Sequence, residues 1–157
     1  TVTVETERAL LDAFEAAILV TPQRRARLKL EEYRSATLHH WDLATVFIAR
    51  YGSIPEPKET LEGVAGDVEA SLEGGPKKLS QLHRLRDLSV LLLLSRSNWE
   101  VLRKVAVAVG EESLAAQAAD ILVAKDRQLQ WLKEFVMDVG PRALFTRRLS
   151  ASRRRAR

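Results

Sequence analysis

Apolar positions recur every three or four residues along most of this chain, and they divide it into amphipathic segments with a helical rather than a strand period. The strongest segment runs from Asp87 to Gly110, DLSVLLLLSRSNWEVLRKVAVAVG, where Leu88, Leu91, Leu92, Leu94, Trp99, Leu102, Val105, Ala106 and Val109 form a wide stripe with Ser95 inside it. This spacing predicts a helix against which the other segments pack. Its most apolar run, Leu88 to Leu94, is bounded by Asp87 and Arg96 and falls far short of the roughly 18 to 20 residues that cross a bilayer. A buried helix is therefore predicted, with no transmembrane segment.

The remaining segments follow in order. Glu5 to Leu19 places Ala9, Leu10, Ala13, Phe14, Ala17 and Ile18 on one helical face. Thr21-Pro22 ends it and, as a capping residue followed by proline, is predicted to start a second helix from Pro22 to about Tyr51, with Gly52 as its left-handed terminator. Thr60 to Leu72 reads as a short helix weakened by Gly63 and Gly66, set between the turns at Ile54-Pro55-Glu56-Pro57 and Glu73-Gly-Gly-Pro76. Lys77 to Val109 and Leu114 to Val139 complete the set, the last helix carrying Leu114, Ala118, Ile121, Leu122, Lys125, Leu129, Leu132 and Phe135 at helical spacing and stopping at Gly140-Pro141. The pattern predicts an all-α four-helix bundle with a long crossover connection that carries a short helix. Leu91, Leu92, Leu94, Trp99 and Leu122 are its expected core.

Composition narrows the chemistry. There is no cysteine, which excludes disulfides, thiolate catalysis and cysteine-ligated metal sites. The net charge of +4 conceals an asymmetry, because seven arginines and no acidic residue lie from Arg142 onwards, while residues 1–141 carry more acid than base. The expected organisation is a bundle over 1–141 and a basic, mobile tail over 142–157. Thr1 to Arg8 has neither the basic start nor the apolar core of a signal peptide, so a cytoplasmic location is expected.

The order of elements resembles the ferritin-like superfamily, and within it the YciF-type bacterial stress proteins. The likeness is carried by the Thr21-Pro22 break, the VFIARYG end of the second helix, the proline-containing turn after it, the stretch TLEGVAGDVEASLEGG, and Trp99 before the Ala/Leu-rich end at Gly110, over roughly residues 5–137. The resemblance implies a bundle with inward carboxylates and histidines holding a di-metal centre. In this chain the corresponding positions read as Ser35 and Leu38 in the second helix, leucines in the third, and Val123, Ala124 and Leu129 in the fourth. A centre filled with hydrocarbon, with no metal and no cofactor, is the expectation, because a transition metal needs several converging ligands.

Polar residues supply the alternatives. His39, His40 and Asp42 form the densest cluster, Glu32 shares a face with His39, and Glu15, Glu32, His39, His40 and Asp126 are the available metal donors if the ligands lie in another register. Surface or interface histidines explain the pair more simply. Trp41, Trp99 and Trp131 fit core or dimer space. Ser95, Ser97 and Asn98 form a small polar patch with no base or oxyanion device beside it. Gly63-x-x-Gly66 lacks the phosphate-loop lysine.

Three readings of function follow. The first is a non-enzymatic, metal-free bundle acting as a structural or stress-associated interaction module, expected as a homodimer through Tyr33, Trp41 and the outer side of Val101 to Val107. The second is a di-metal oxidase or iron-handling protein. The third is an anion or nucleic-acid binder acting through Arg147, Arg148, Arg153, Arg154, Arg155 and Arg157, with no helix-turn-helix, zinc finger or aromatic RNA motif to give sequence specificity.

Overall fold

The computed structural model describes residues 2–52 and 77–155, and the side-chain surroundings of 2–52 and 80–142. The short helix expected at Thr60 to Leu72, Gly63-x-x-Gly66 and the connection that carries them lie outside the described residues, as do Arg157 and the side chains of Arg147, Arg148, Arg153, Arg154 and Arg155. All described elements are helices: α1 Val2–Val20, α2 Arg24–Tyr51, α3 Lys77–Ala108 and α4 Glu112–Arg155. No strand occurs among the described residues, and the arrangement is consistent with a four-helix bundle.

α1 packs along both α2 and α3, and α3 along α4, whereas α2 and α4 touch only sparsely. Short turns join α1 to α2 and α3 to α4, so each pair is antiparallel. Gln81 Nε2 donates to Gln23 Oε1 across 3.0 Å, which puts the starts of α2 and α3 side by side.

Three boundaries differ from those the sequence pattern predicts. α1 begins near the first residue instead of at Glu5, because Thr3, Thr6 and Glu7 are themselves buried and belong to its inward face. Thr21 does not cap α2. Its hydroxyl donates back to the Ala17 carbonyl at 2.7 Å, finishing α1, while Gln23 takes the N-cap position with its side chain committed to Gln81.

The third difference is the largest: Gly140-Pro141 does not end α4, which continues through Pro141 to Arg155. A residue before proline avoids the helical region mainly because its Cβ and N–H meet the proline ring. Gly140 has no Cβ, and it keeps a negative φ, since Gly52 and Gly110 are the only glycines described with positive φ. The missing N–H of Pro141 leaves the carbonyl of exposed Met137 to water. α3, by contrast, stops where the pattern places its end. Gly110 at φ +77° lets its own N–H bond Val107 and the Glu111 N–H bond Ala106, which satisfies the last carbonyls.

Two apolar clusters fill the interior. The larger joins Leu10, Phe14, Ala17, Leu30, Leu85, Leu88, Leu92 and Leu132. The smaller joins Ala44, Trp99, Ala118 and Ile121. Of the expected core residues, Leu92 and Trp99 are fully buried, while Leu91, Leu94 and Leu122 are only partly covered. Their side chains lie one position off the inward line of their helices. Leu92→Ala is expected to lower the free energy of unfolding by about 2 to 5 kcal/mol through lost transfer energy and the cavity left behind. A urea midpoint equal to that of the parent protein would remove Leu92 from the core.

Candidate functional site

The two apolar clusters are separated by a polar layer. Following each helix from the larger cluster to the smaller, the inward positions read Leu10 then Glu7 on α1, Thr37 and His40 before Ala44 on α2, Leu92 then Ser95 then Trp99 on α3, and Leu132, Gln128, Lys125, Ile121 on α4. The expected hydrocarbon centre is therefore corrected. At its middle an ammonium meets a carboxylate.

Lys125 Nζ lies 2.8 Å from Glu7 Oε2, and neither side chain has any exposed surface. The other carboxylate oxygen, Oε1, accepts from the Ser95 hydroxyl and, at 2.9 Å, from Trp99 Nε1. Three helices thus converge on one carboxylate. Next to it Asn98 Nδ2 donates to Thr6 Oγ1 at 3.1 Å, a second tie between α1 and α3. Burial pulls the Lys125 ammonium below its usual pKa, against the opposing pull of Glu7. A buried charge pair of this kind stands only with good geometry and further hydrogen bonds, which Ser95 and Trp99 supply.

His40 sits on α2 beside this pair, its ring edge-on to Trp99 with centroids 6.4 Å apart. Burial, with the positive charges of Lys125 and His39 added, lowers its pKa to about 3, so the imidazole is neutral at ordinary pH. Around it Thr37 Oγ1, His40 Nδ1 and Gln128 Oε1 are buried without a hydrogen-bond partner, as is Trp41 Nε1 farther round α2.

The donors proposed from sequence do not meet. Glu15 is exposed and pairs with Arg34 at 3.5 Å, Glu32 is exposed and pairs with Lys29 at 2.8 Å, and Asp126 is exposed and pairs with Arg96 at 2.5 Å. His39 is exposed while His40 is buried, so adjacent histidines face opposite ways. Ser35, Leu38 and Val123, placed at the ligand positions by sequence, are exposed; the inward residues at those levels are Thr37, His40, Lys125 and Gln128. Among the described residues no group of three or more His, Asp or Glu side chains is arranged to hold a metal ion. Ser95 and Asn98 do enter the polar layer, but Ser97 faces solvent. Tyr33 turns inward onto Trp131, centroids 5.5 Å apart, and away from a dimer face.

Sequence reasoning missed Glu7, and it placed Lys125 on the stripe of the last helix without a partner or a role. The signal was present: Lys125 falls four residues after Ile121 and seven before Leu132, and Glu7 lies three before Leu10 and seven before Phe14, so both occupy apolar stripe positions.

At the end of the bundle beyond the smaller cluster, an apolar cleft of about 440 Å³ opens between the α1 start and the ends of α2 and α3, with Val2, Phe47, Ile48, Leu102, Val105 and Leu114 among its walls.

Two outcomes test the layer. Lys125→Met removes one partner and leaves Glu7 buried and unpaired, for an expected loss of about 3 to 5 kcal/mol in unfolding free energy. Adding Glu7→Gln should recover much of it, since glutamine's Oε1 still accepts from Ser95 and Trp99; a double variant no better than the single would dismiss the pair as the cause. The second outcome concerns pH. The folded pKa of His40 is below its unfolded value of about 6.5, so the unfolded chain binds the extra proton, and stability present above that value is lost as pH falls towards 3. Unfolding measured across that window should show a shallower loss in His40→Leu than in the parent, and parallel curves would contradict the burial of a neutral imidazole.

No protein-family model matches the chain, and no curated protein and no solved structure matches it, so the reading of this layer rests on its own geometry.

Proposed function

We propose that this chain is a metal-free, non-enzymatic helical bundle of ferritin-like design that works as an interaction module, and that Lys125 takes the part of a central cation. The observation that carries this is the fully buried Lys125 to Glu7 contact at 2.8 Å. A di-metal centre needs several carboxylates or imidazoles with free lone pairs converging on one point. Here the one carboxylate at the centre is already used by an ammonium, a hydroxyl and an indole N–H, and the remaining inward groups are a single imidazole, His40, and the weak ligands Thr37 and Gln128. The donor set does not fit a di-metal cofactor. The crossover belongs to the same proposal, and the Gln23 to Gln81 bond, which puts the starts of α2 and α3 at one end, supports it.

A homodimer through α3 is the proposed assembly. Val101 and Val105 remain 54% and 39% exposed on one face of α3 that a second copy would cover, while Val107, 60% exposed, lies on another face.

Metal analysis of dialysed protein separates this reading from the oxidase. The expected result is no stoichiometric iron, manganese or zinc; about two ions per chain would overturn it. Lys125→Met should not by itself confer tight metal binding, because only Glu7 and His40 would be freed.

The continuation of α4 to Arg155 favours one secondary reading, in which the arginine-rich end docks on phosphate-bearing polymer. Deleting Arg147 to Arg157 would then abolish duplex binding whose log affinity falls against log salt by about 0.9 per phosphate neutralised, and leave the unfolding midpoint unchanged. Binding that survives the deletion and ignores salt would exclude the tail.

A further inference from the structure

The sparsely packed seam between α2 and α4 has a definite register. Tyr33 on α2 meets Trp131 on α4 edge-on at one level, and Ala44 and Ile121 share the smaller apolar cluster at another. These antiparallel helices therefore present, turn by turn between those levels, Thr37 opposite Gln128 and His40 opposite Lys125. All four residues are buried, at 0%, 1%, 5% and 0% exposure respectively. Thr37 Oγ1, His40 Nδ1 and Gln128 Oε1 have no partner there. A lysine ammonium carries three N–H donors, and among the described residues only Glu7 accepts from it.

Buried polar groups in folded proteins are partnered, by protein or by ordered water, and an orphan in a dry interior costs about 1 to 3 kcal/mol. Three orphans in one layer demand a common partner. The layer lies between the Tyr33–Trp131 contact at one level and the buried Ala44 and Ile121 at another.

We propose that the α2–α4 seam holds an internal water site, in which ordered water links the Lys125 ammonium and the Thr37 hydroxyl to His40 Nδ1 and Gln128 Oε1. The match in hydrogen-bond capacity supports it. A water molecule offers two donors and two acceptors; this layer offers two acceptors, the imidazole nitrogen and the amide oxygen, and two donors, the hydroxyl and an ammonium N–H. Because water can also donate or accept at either place, the match survives a change of imidazole tautomer or a turn of the amide. An anion is disfavoured by the two acceptors, and a metal cation by the ammonium. Burial first, and the positive charge of Lys125 second, lower the His40 pKa, in keeping with the register that sets the two residues opposite each other. Trp41 Nε1 stands outside this layer, since one residue beyond His40 turns its side chain about 100° around α2.

The site predicts a water exchanging more slowly than surface water. Oxygen-17 relaxation dispersion on the full chain should show a long-lived component, and the amplitude of that component should fall in Gln128→Met and in Thr37→Val, two variants close in volume to the parent and expected to fold. Equal amplitudes in parent and both variants would overturn the proposal. Urea midpoints supply the second reading, independent of the first. If the layer is hydrated, each substitution breaks a water bridge and lowers the midpoint; if the layer is dry, removing an orphan raises it, and a rise in both variants would overturn the site. The test stands apart from the metal analysis, because a protein with two bound metal ions and a protein with none give different metal contents but are judged here on the same water signal.

Discussion

Removing a carboxylate and an ammonium from water costs several kcal/mol for each ion even after the protein relaxes around them. Glu7 and Lys125 both bear that cost, so the rest of the bundle must place their partners well. The 2.8 Å contact supplies attraction, and Ser95 and Trp99 satisfy the second carboxylate oxygen. Each of these groups comes from a different turn of α1, α3 or α4. A helix displaced by one turn, about 5.4 Å, would leave leucines facing leucines with modest loss but would strand both charges. The apolar clusters make the bundle compact, and the polar layer makes one register compulsory.

That constraint falls unequally. α1, α3 and α4 all send a side chain to the centre, whereas α2 sends Thr37 and His40, which make no direct hydrogen bond to it. α2 is held instead along its length by α1, at its start by Gln23 to Gln81, and at its end by the weak Arg50 to Glu111 pair at 3.7 Å. The exposed ion pair adds little, since such pairs contribute about 0 to 1 kcal/mol. The α2–α4 seam is accordingly the part of the interior with the fewest direct ties, and it is also where the buried polar atoms collect. Loose packing and unmet hydrogen bonds there have a single origin: the charge pair is satisfied from the other three helices.

Helix content was legible in the sequence because it depends on period alone. The apolar stripe of Asp87 to Gly110 located the second half and the end of α3, the Gly74-Gly75-Pro76 break located its start, and Gly52 and Gly110 do hold the positive φ values expected of helix terminators. Boundaries that depend on a single local rule were less legible. Thr21-Pro22 has the chemistry of a cap, but the competing bond from the Thr21 hydroxyl to Ala17 wins, and Gly140 relieves the clash that would have made Pro141 a stop. The centre was misread for a different reason. A charged residue on an apolar stripe is usually at its edge, with its head in water. Only the meeting of Glu7 and Lys125 across 118 positions of sequence reverses that expectation, and no local pattern encodes such a distance.

The same pair limits what the interior can do chemically. A bundle centre that gathers uncompensated carboxylates has a strong need for a cation and will take one from solution. This centre carries its own cation on a flexible stem, and the Lys125 ammonium meets the charge of the Glu7 carboxylate within the fold. Nor does the layer suit acid–base work: Lys125 is sealed from solvent, and the His40 pKa of about 3 is far from the range in which an imidazole exchanges protons usefully near neutral pH. The polar contacts at the middle of this bundle tie α1, α3 and α4 to one another. The surfaces that remain apolar and open are the exposed valines of α3 and the cleft beside them, which Val101 and Val105 both line.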